Sequence, residues 1–302
     1  MGLLYRGLLL TFILLSNINT AAASSEVSPR SGTTQKKYYI LDHSRAQYGM
    51  FGSYQAVVGF LDFIEQQNDV AGYEVLFTWG HYFNKKLGPN WWEYYFKPIQ
   101  AGSPHGAQVV YIDDDQKAAF NIGAISSMSK ERAHEIISKY IKLRTNLRLK
   151  IEAFYQKYLR GKYVISVHYR GTDKIQEANR VSYEIFFQTI EDVIKTLQHD
   201  NYVIYAASDE QQFIDALKER FKHVRYQKAQ RSSNGKPLHY GPNAKHGSQQ
   251  GEETIIDFYL LGKGDILIRG HSNLSASLQN LRPDLRTITL NTTTVGAVRH
   301  QS

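Results

Sequence analysis

The segment best equipped for chemistry is His168-Tyr169-Arg170-Gly171-Thr172-Asp173-Lys174. It grows out of Tyr163-Val164-Ile165-Ser166-Val167, whose apolar run predicts a strand. The charged residues therefore fall at a strand's carboxyl end, where open α/β sheets bind ligands. Arg170 offers a planar fork of donors suited to a diphosphate, and Lys174 a mobile point charge. Asp173 can hold either cation in place or accept a proton, and Gly171 permits a tight backbone turn. The plainer account is a strand-end turn with a surface Arg–Asp pair; the coincidence of position and composition favours function. A second cluster, Tyr111-Ile112-Asp113-Asp114-Asp115, ends an apolar strand in acid. Asp113 and Asp115 together have the spacing that holds a divalent metal against a nucleotide diphosphate. The alternative is a solvated strand end capping the next helix.

The elements that position these residues alternate. After the strand Tyr163–Tyr169 come an amphipathic helix from Tyr183 to Leu197, a strand Tyr202–Ala207 and a helix Glu210–Phe221 with Phe213, Ile214, Leu217 and Phe221 on one face. A short strand His223–Tyr226, a helix Gly251–Leu261, a strand Asp265–Ile268, a helix Ser272–Leu281 and a strand Thr287–Leu290 complete the series. The first half repeats the theme with strands Tyr38–Leu41, Tyr73–Phe77 and Gln108–Ile112, a helix Ser53–Phe63 after the Gly49-Met50-Phe51-Gly52 turn, and one long helical stretch from Lys130 to Tyr158. Repeated β-α order with short connections predicts parallel, doubly wound sheets. The expected architecture is two Rossmann-like α/β lobes with a cleft between them, residues 24–160 and 161–302. The polar stretch Gln230–Gln250 is expected to be a lid or a binding loop.

Composition narrows the classes. The 302 residues carry a net charge of +8 and no cysteine, which excludes disulfides, thiolate metal sites and cysteine nucleophiles. The basic residues are dispersed, and Lys139–Lys150 has the pattern of a solvated helix face, so nucleic acid is not the expected partner. Residues 1–23 have the three parts of a signal peptide: Arg6, an apolar run from Gly7 to Leu15, and Ala21-Ala22-Ala23. That run is too short to span a bilayer, and the expected location is the secretory pathway or an exported compartment.

The motif around Arg170 resembles the first motif of the α1,6-fucosyltransferases and protein O-fucosyltransferases, His-x-Arg-x-x-Asp, often followed by Lys. Tyr205-Ala206-Ala207-Ser208-Asp209-Glu210 is similar to their second motif, a strand running into a Ser/Thr-Asp turn. Asp257-Phe258-Tyr259-Leu260-Leu261, Asp265-Ile266-Leu267-Ile268 and Ser272-Asn273 are similar to the third. Gly49 to Gly52 is similar to their glycine-rich first turn. The resemblance implies a GT-B fold and an inverting, metal-independent transferase. The donor is GDP-fucose, no other cofactor is needed, and the acceptor is a glycan or glycoprotein hydroxyl. It implies Arg170 on the β-phosphate, assisted by Asp173 and Lys174, and His168 and Asp257 on the nucleoside side. Asp209, Ser272, Asn273, Gly49 and Gly52 complete the donor site. Glu177 stands one position away from the family's acidic residue and is the candidate base. Gly171 replaces a second arginine of the α1,6 enzymes, and Met50 and Ser53 replace Arg and Asn of the O-fucosyltransferases.

Other readings stay open. Asp209 has the character of a helix N-cap. Trp91 and Trp92, with Tyr94, Tyr95 and Phe96, fit a core or a sugar-stacking surface. The acidic cluster would suit a metal-dependent GT-A enzyme, and the fold without turnover would suit a secreted carbohydrate-binding protein.

Overall fold

A computed structural model describes residues 35–42, 49–113, 117, 128–172, 181–198, 200–233, 238 and 246–290. The expected leader, together with Asp114, Asp115, Asp173, Lys174 and Glu177, lies outside these residues.

The first sheet has the order β3-β2-β1-β4. Strand β1 (Lys37–Leu41) pairs in parallel with β2 (Val70–Val75) and β4 (Gln108–Ile112), while the short β3 (Gln100–Gly102) runs antiparallel to β2. Strand β2 ends earlier than its apolar pattern predicts because the Phe77 N–H donates to Asn90 Oδ1 at 3.0 Å instead of continuing the ladder. Helix α1 (Met50–Glu65) covers this sheet. The long helix expected over Lys130–Tyr158 is broken into α2 (Lys130–Tyr140) and α3 (Thr145–Phe154), which runs on into a π turn at Tyr155–Leu159. The break has a cause: the Lys97 N–H donates to Lys142 O and the Arg144 N–H to Tyr95 O, which draws residues 141–144 into extended pairing.

The second sheet is wholly parallel, with order β7-β6-β5-β8-β9. Strand β5 (Tyr163–Tyr169) is central, flanked by β6 (Tyr202–Ser208) and β8 (Ile266–Arg269), with β7 (Val224–Arg225) and β9 (Arg286–Thr289) at the edges. Helices α4 (Tyr183–Thr196), α5 (Gln211–Arg220), α6 (Gly247–Leu261) and α7 (Asn273–Leu281) connect them. The chain winds outward from β5 through β6 to β7, then returns to β8 on the other side. The strand order therefore reverses at β5, and a crevice opens beyond its carboxyl end. His168 sits in register with Ala207 on one neighbour and Arg269 on the other.

Helices α4 and α5 seal one face of this sheet around Phe186, Ile190, Phe213 and Leu217. On the other face a second apolar cluster runs from α6 and α7 into α1, with Phe51 and Phe258 rings 4.5 Å apart. Each fully buried apolar side chain there contributes roughly 1.5–3 kcal/mol. Gly251 allows α6 to approach the aromatic segment: a Cβ there would stand 2.2 Å from the Tyr95 hydroxyl. Among the described residues no helix is long and apolar enough to cross a membrane.

Candidate functional site

Beyond the carboxyl end of β5 lies a cleft of about 350 Å³. His168, Arg170 and Thr172 line it from β5 and the turn that follows, and Ser208 and Asp209 from the end of β6. Ser272, Asn273 and Leu274 contribute the N-terminus of α7, and Asp257 the inner face of α6. The turn Gly49–Gly52 and Tyr82 close the opposite side. Eight residues that sequence reasoning assigned to the donor site are therefore brought together: His168, Arg170, Asp209, Asp257, Ser272, Asn273, Gly49 and Gly52.

Each has a local reason for its place. Gly49 starts α1, where its carbonyl accepts the Gly52 N–H at 2.9 Å. The Met50 N–H there donates to the Tyr82 hydroxyl at 2.8 Å, which satisfies one of the donors a helix start leaves open. Ser272 is the N-cap of α7, its hydroxyl accepting the Ser275 N–H at 3.1 Å. Two helix N-termini thus border one cleft, each placing partial positive charge toward it.

His168 is buried at the cleft wall with Nδ1 3.5 Å from Ser272 Oγ. Burial lowers its pKa to about 3, with the Arg170 and Arg269 charges acting in the same direction, so the ring is neutral at ordinary pH. Asp257 is also buried and accepts the Tyr205 O–H at 2.5 Å. Desolvation raises its pKa to about 6 against the opposing effects of Tyr205, Arg231 and Gln227. Burial likewise pushes the Tyr82 phenol up, the Arg170 charge opposing it.

Asp209 is not a helix N-cap. Helix α5 begins after Glu210, and the Asp209 carboxylate instead accepts the Gly171 N–H at 2.9 Å and the Thr172 O–H at 2.6 Å. Glu210 is buried against that same turn and accepts the Tyr183 O–H at 2.8 Å. Trp91, Trp92, Tyr95 and Phe96 are core, Trp92 stacked on Phe96 at 4.3 Å. The exposed tryptophan is Trp79. Asp113 closes β4 and does not appear in the described lining of the cleft, and no group of three metal-ligating side chains occurs among the described residues.

Sequence reasoning missed Tyr82 and Glu253, and gave Gln250 only as the end of the polar stretch. At the rim, His81 Nε2 lies 2.7 Å from Gln250 Oε1, Gln250 Nε2 donates to Gln230 Oε1 at 2.9 Å, and the Gln230 N–H donates to Glu253 Oε2 at 2.8 Å. These contacts join residues 169, 20 and 23 positions apart, which no local pattern announces. Of the stretch Gln230–Gln250, Gln230 is thus tied to α6, while the Ser232 N–H donates to Asp209 O at 2.8 Å at the end of β6.

A reversal point in a parallel sheet places the chain among doubly wound α/β folds, and two helix N-termini and an arginine on one cleft have the chemistry to receive an anion. Solved structures that share its fold include fucosyltransferases. NodZ α-1,6-fucosyltransferase soaked with GDP-fucose superimposes at a TM-score of 0.60 and 16% identity, covering 87% of this chain and 98% of that one. Another crystal of NodZ, from Bradyrhizobium, gives 0.55 over the same shares, again at 16% identity. An arginine-to-lysine mutant of Arabidopsis thaliana FUT1 in complex with GDP gives 0.51 at 9% identity, covering 86% and 72%. No protein-family model and no curated protein matches the chain.

Proposed function

We propose that the chain is an inverting glycosyltransferase of GT-B type that transfers fucose from GDP-fucose to a carbohydrate or glycoprotein hydroxyl. The observation that carries this reading is the convergence of Arg170, Ser272, His168 and Asp257 on one cleft at the reversal point of a fucosyltransferase-like fold. Two of these neighbours are described with GDP or GDP-fucose.

The residues divide by chemistry. Asp257, with one oxygen held by Tyr205, is a carboxylate at the cleft edge. It suits a base that presents adjacent N–H donors, as guanine does on its N1/N2 edge. Arg170 and the first-turn N–H groups of α7 face the diphosphate. As the glycosidic bond breaks, negative charge builds on that leaving group, and preorganised donors stabilise it most where water is excluded. Neutral His168 adds a hydrogen-bond partner without a competing charge. Asp173, Lys174 and Glu177 follow Thr172 in the sequence, and this reading keeps them as assistants to Arg170 and as candidate base. Charge neutralisation is assigned to side chains and backbone, so the reading expects activity to survive EDTA.

A thermal-shift titration with GDP, GDP-fucose, GDP-mannose and UDP-sugars, with and without EDTA, tests this. A ligand at about 100 times its dissociation constant adds roughly 2.7 kcal/mol of stability. Stabilisation by GDP and GDP-fucose that survives EDTA supports the reading, and indifference to every guanine nucleotide sinks it.

A further inference from the structure

Arg269 ends β8 immediately beside the cleft and is only 8% exposed. Its guanidinium donates to Ser275 Oγ at 3.2 Å, Gln279 Oε1 at 3.1 Å and Thr289 Oγ1 at 3.2 Å. All three acceptors are neutral, and among the described residues no carboxylate pairs with it. A buried cation without a counter-ion is unfavourable unless something else uses its field. What lies in front of it is the cleft: Ser275 Oγ is 2.9 Å from the Oγ of Ser272, the cleft-lining cap of α7, and Arg269 is in register with His168.

We propose that Arg269 is a positioning residue for the phosphate end of the nucleotide, acting from behind the cleft wall through Ser275 and Ser272. This inference rests on the nucleotide reading above and goes further in naming the source of the charge. With Arg269 donating into Ser275 Oγ, the Ser275 proton is shared among Gly270 O at 3.1 Å, Ser272 O at 3.3 Å and Ser272 Oγ at 2.9 Å, the last being the shortest of the three contacts. Ser272 already accepts the Ser275 N–H, so when it also accepts the Ser275 O–H its own proton is left for a phosphate oxygen in the cleft, in competition with His168 Nδ1 at 3.5 Å. The hydroxyl pair carries the polarisation of the guanidinium forward, and burial keeps its field unscreened. The field also reaches His168, whose protonation it opposes.

The test is a set of titrations of GDP and guanosine into the full chain and into Arg269→Gln and Arg269→Lys, each first checked for folding by circular dichroism. Arg269→Gln is expected to weaken GDP about tenfold while guanosine changes by less than about twofold, because only GDP carries the charge addressed. Arg269→Lys is expected to recover most of the GDP affinity by keeping the charge, although it cannot repeat the three-way fork. A merely structural arginine gives the opposite pattern: Lys fails as Gln does, and guanosine and GDP weaken together. Either that pattern or an unchanged GDP affinity in folded Arg269→Gln overturns the inference. If Arg269→Gln does not fold, Arg269→Lys decides alone, since loss of its preference for GDP over guanosine overturns the inference. Wild-type chain that binds neither ligand would instead remove the nucleotide reading itself.

Discussion

The carboxylate of Asp209, one residue past β6, accepts the backbone N–H of Gly171, one residue past Arg170. Two adjacent parallel strands are thus tied together at their carboxyl ends, and the tie holds the turn that carries the arginine. Asp209→Ala leaves the Gly171 N–H and the Thr172 hydroxyl without their acceptor. The cost of such a loss is about 1–3 kcal/mol, so turnover is expected to fall by up to roughly five- to 150-fold if the whole cost is felt at Arg170. Steady-state kinetics with circular dichroism check this; full activity in the alanine variant would break the link between the tie and Arg170.

In the proposed reaction Arg170 faces the leaving diphosphate, whose charge must be neutralised. Arg170→Ala is expected to lower kcat by about 10²–10³, the range for one lost transition-state donor. Its position in a turn outside β5 leaves the melting temperature nearly unchanged. Arg170→Lys restores the charge but not the fork, and an intermediate rate is expected. Equal rates for wild type and Arg170→Ala would remove the motif assignment.

Gly171 has a reason to be glycine. A Cβ at this position would stand 2.3 Å from the carboxyl carbon of Glu210, which is buried and held by Tyr183. The space that a larger side chain would need is therefore occupied. Gly171→Ala is expected to destabilise the fold by about 1–3 kcal/mol through overpacking. Adding Glu210→Ala should return part of that loss, a coupling that a double-mutant cycle in urea measures. Strict additivity of the two changes would show that the contact is not what limits position 171.

The parallel second sheet was legible because its strands are apolar runs and its helices are amphipathic, and both are local patterns. Helix boundaries were legible where a serine caps them, as Ser272 does. The break in the long helix was not, because it is imposed by the distant segment Tyr95–Lys97. The site divides the same way. Arg170 and Asp257 lie in recognisable stretches, whereas Tyr82 enters the cleft only through its bond to Met50, 32 residues away. Asp209 was visible as a strand-end acid, but its partner was across the sheet. Trp91 and Trp92 carry the same residue type as Trp79, and burial alone separates them.

That separation has an optical consequence. All three tryptophans of the chain are described, and Trp79 is 56% exposed while Trp91 and Trp92 are 3% and 0% exposed. Acrylamide should quench one component of the emission and spare the other two. Trp79→Phe is expected to abolish the readily quenched component while leaving stability within about 0.5 kcal/mol, the usual range for a surface change. Persistent strong quenching in Trp79→Phe would place Trp91 or Trp92 at the surface and contradict the core described here.

Under the proposed base recognition, Asp257 makes guanosine binding depend on pH in a definite direction. Its folded pKa is raised from 3.8 to about 6, so it holds its proton more tightly folded than unfolded. Its contribution to stability is therefore fully present below 3.8 and is lost as the pH rises through about 6. Ligand binding runs the other way, since only the ionised carboxylate can accept two N–H donors. Guanosine, which has no phosphate to confuse the titration, should bind with constant affinity above about pH 6 and weaken toward tenfold per unit below it. His168 does not interfere: with its pKa lowered from 6.5 to about 3, it stays neutral across this window. Its own effect is a loss of stability as the pH falls from 6.5 toward 3. Asp257→Asn keeps one acceptor and cannot ionise, so it should bind guanosine more weakly at neutral pH and with a flat profile. Calorimetric titrations between about pH 5 and about pH 8 decide the matter. A wild-type profile that is already flat, or an asparagine variant that keeps the slope, would assign the titration to another group and take Asp257 out of base recognition.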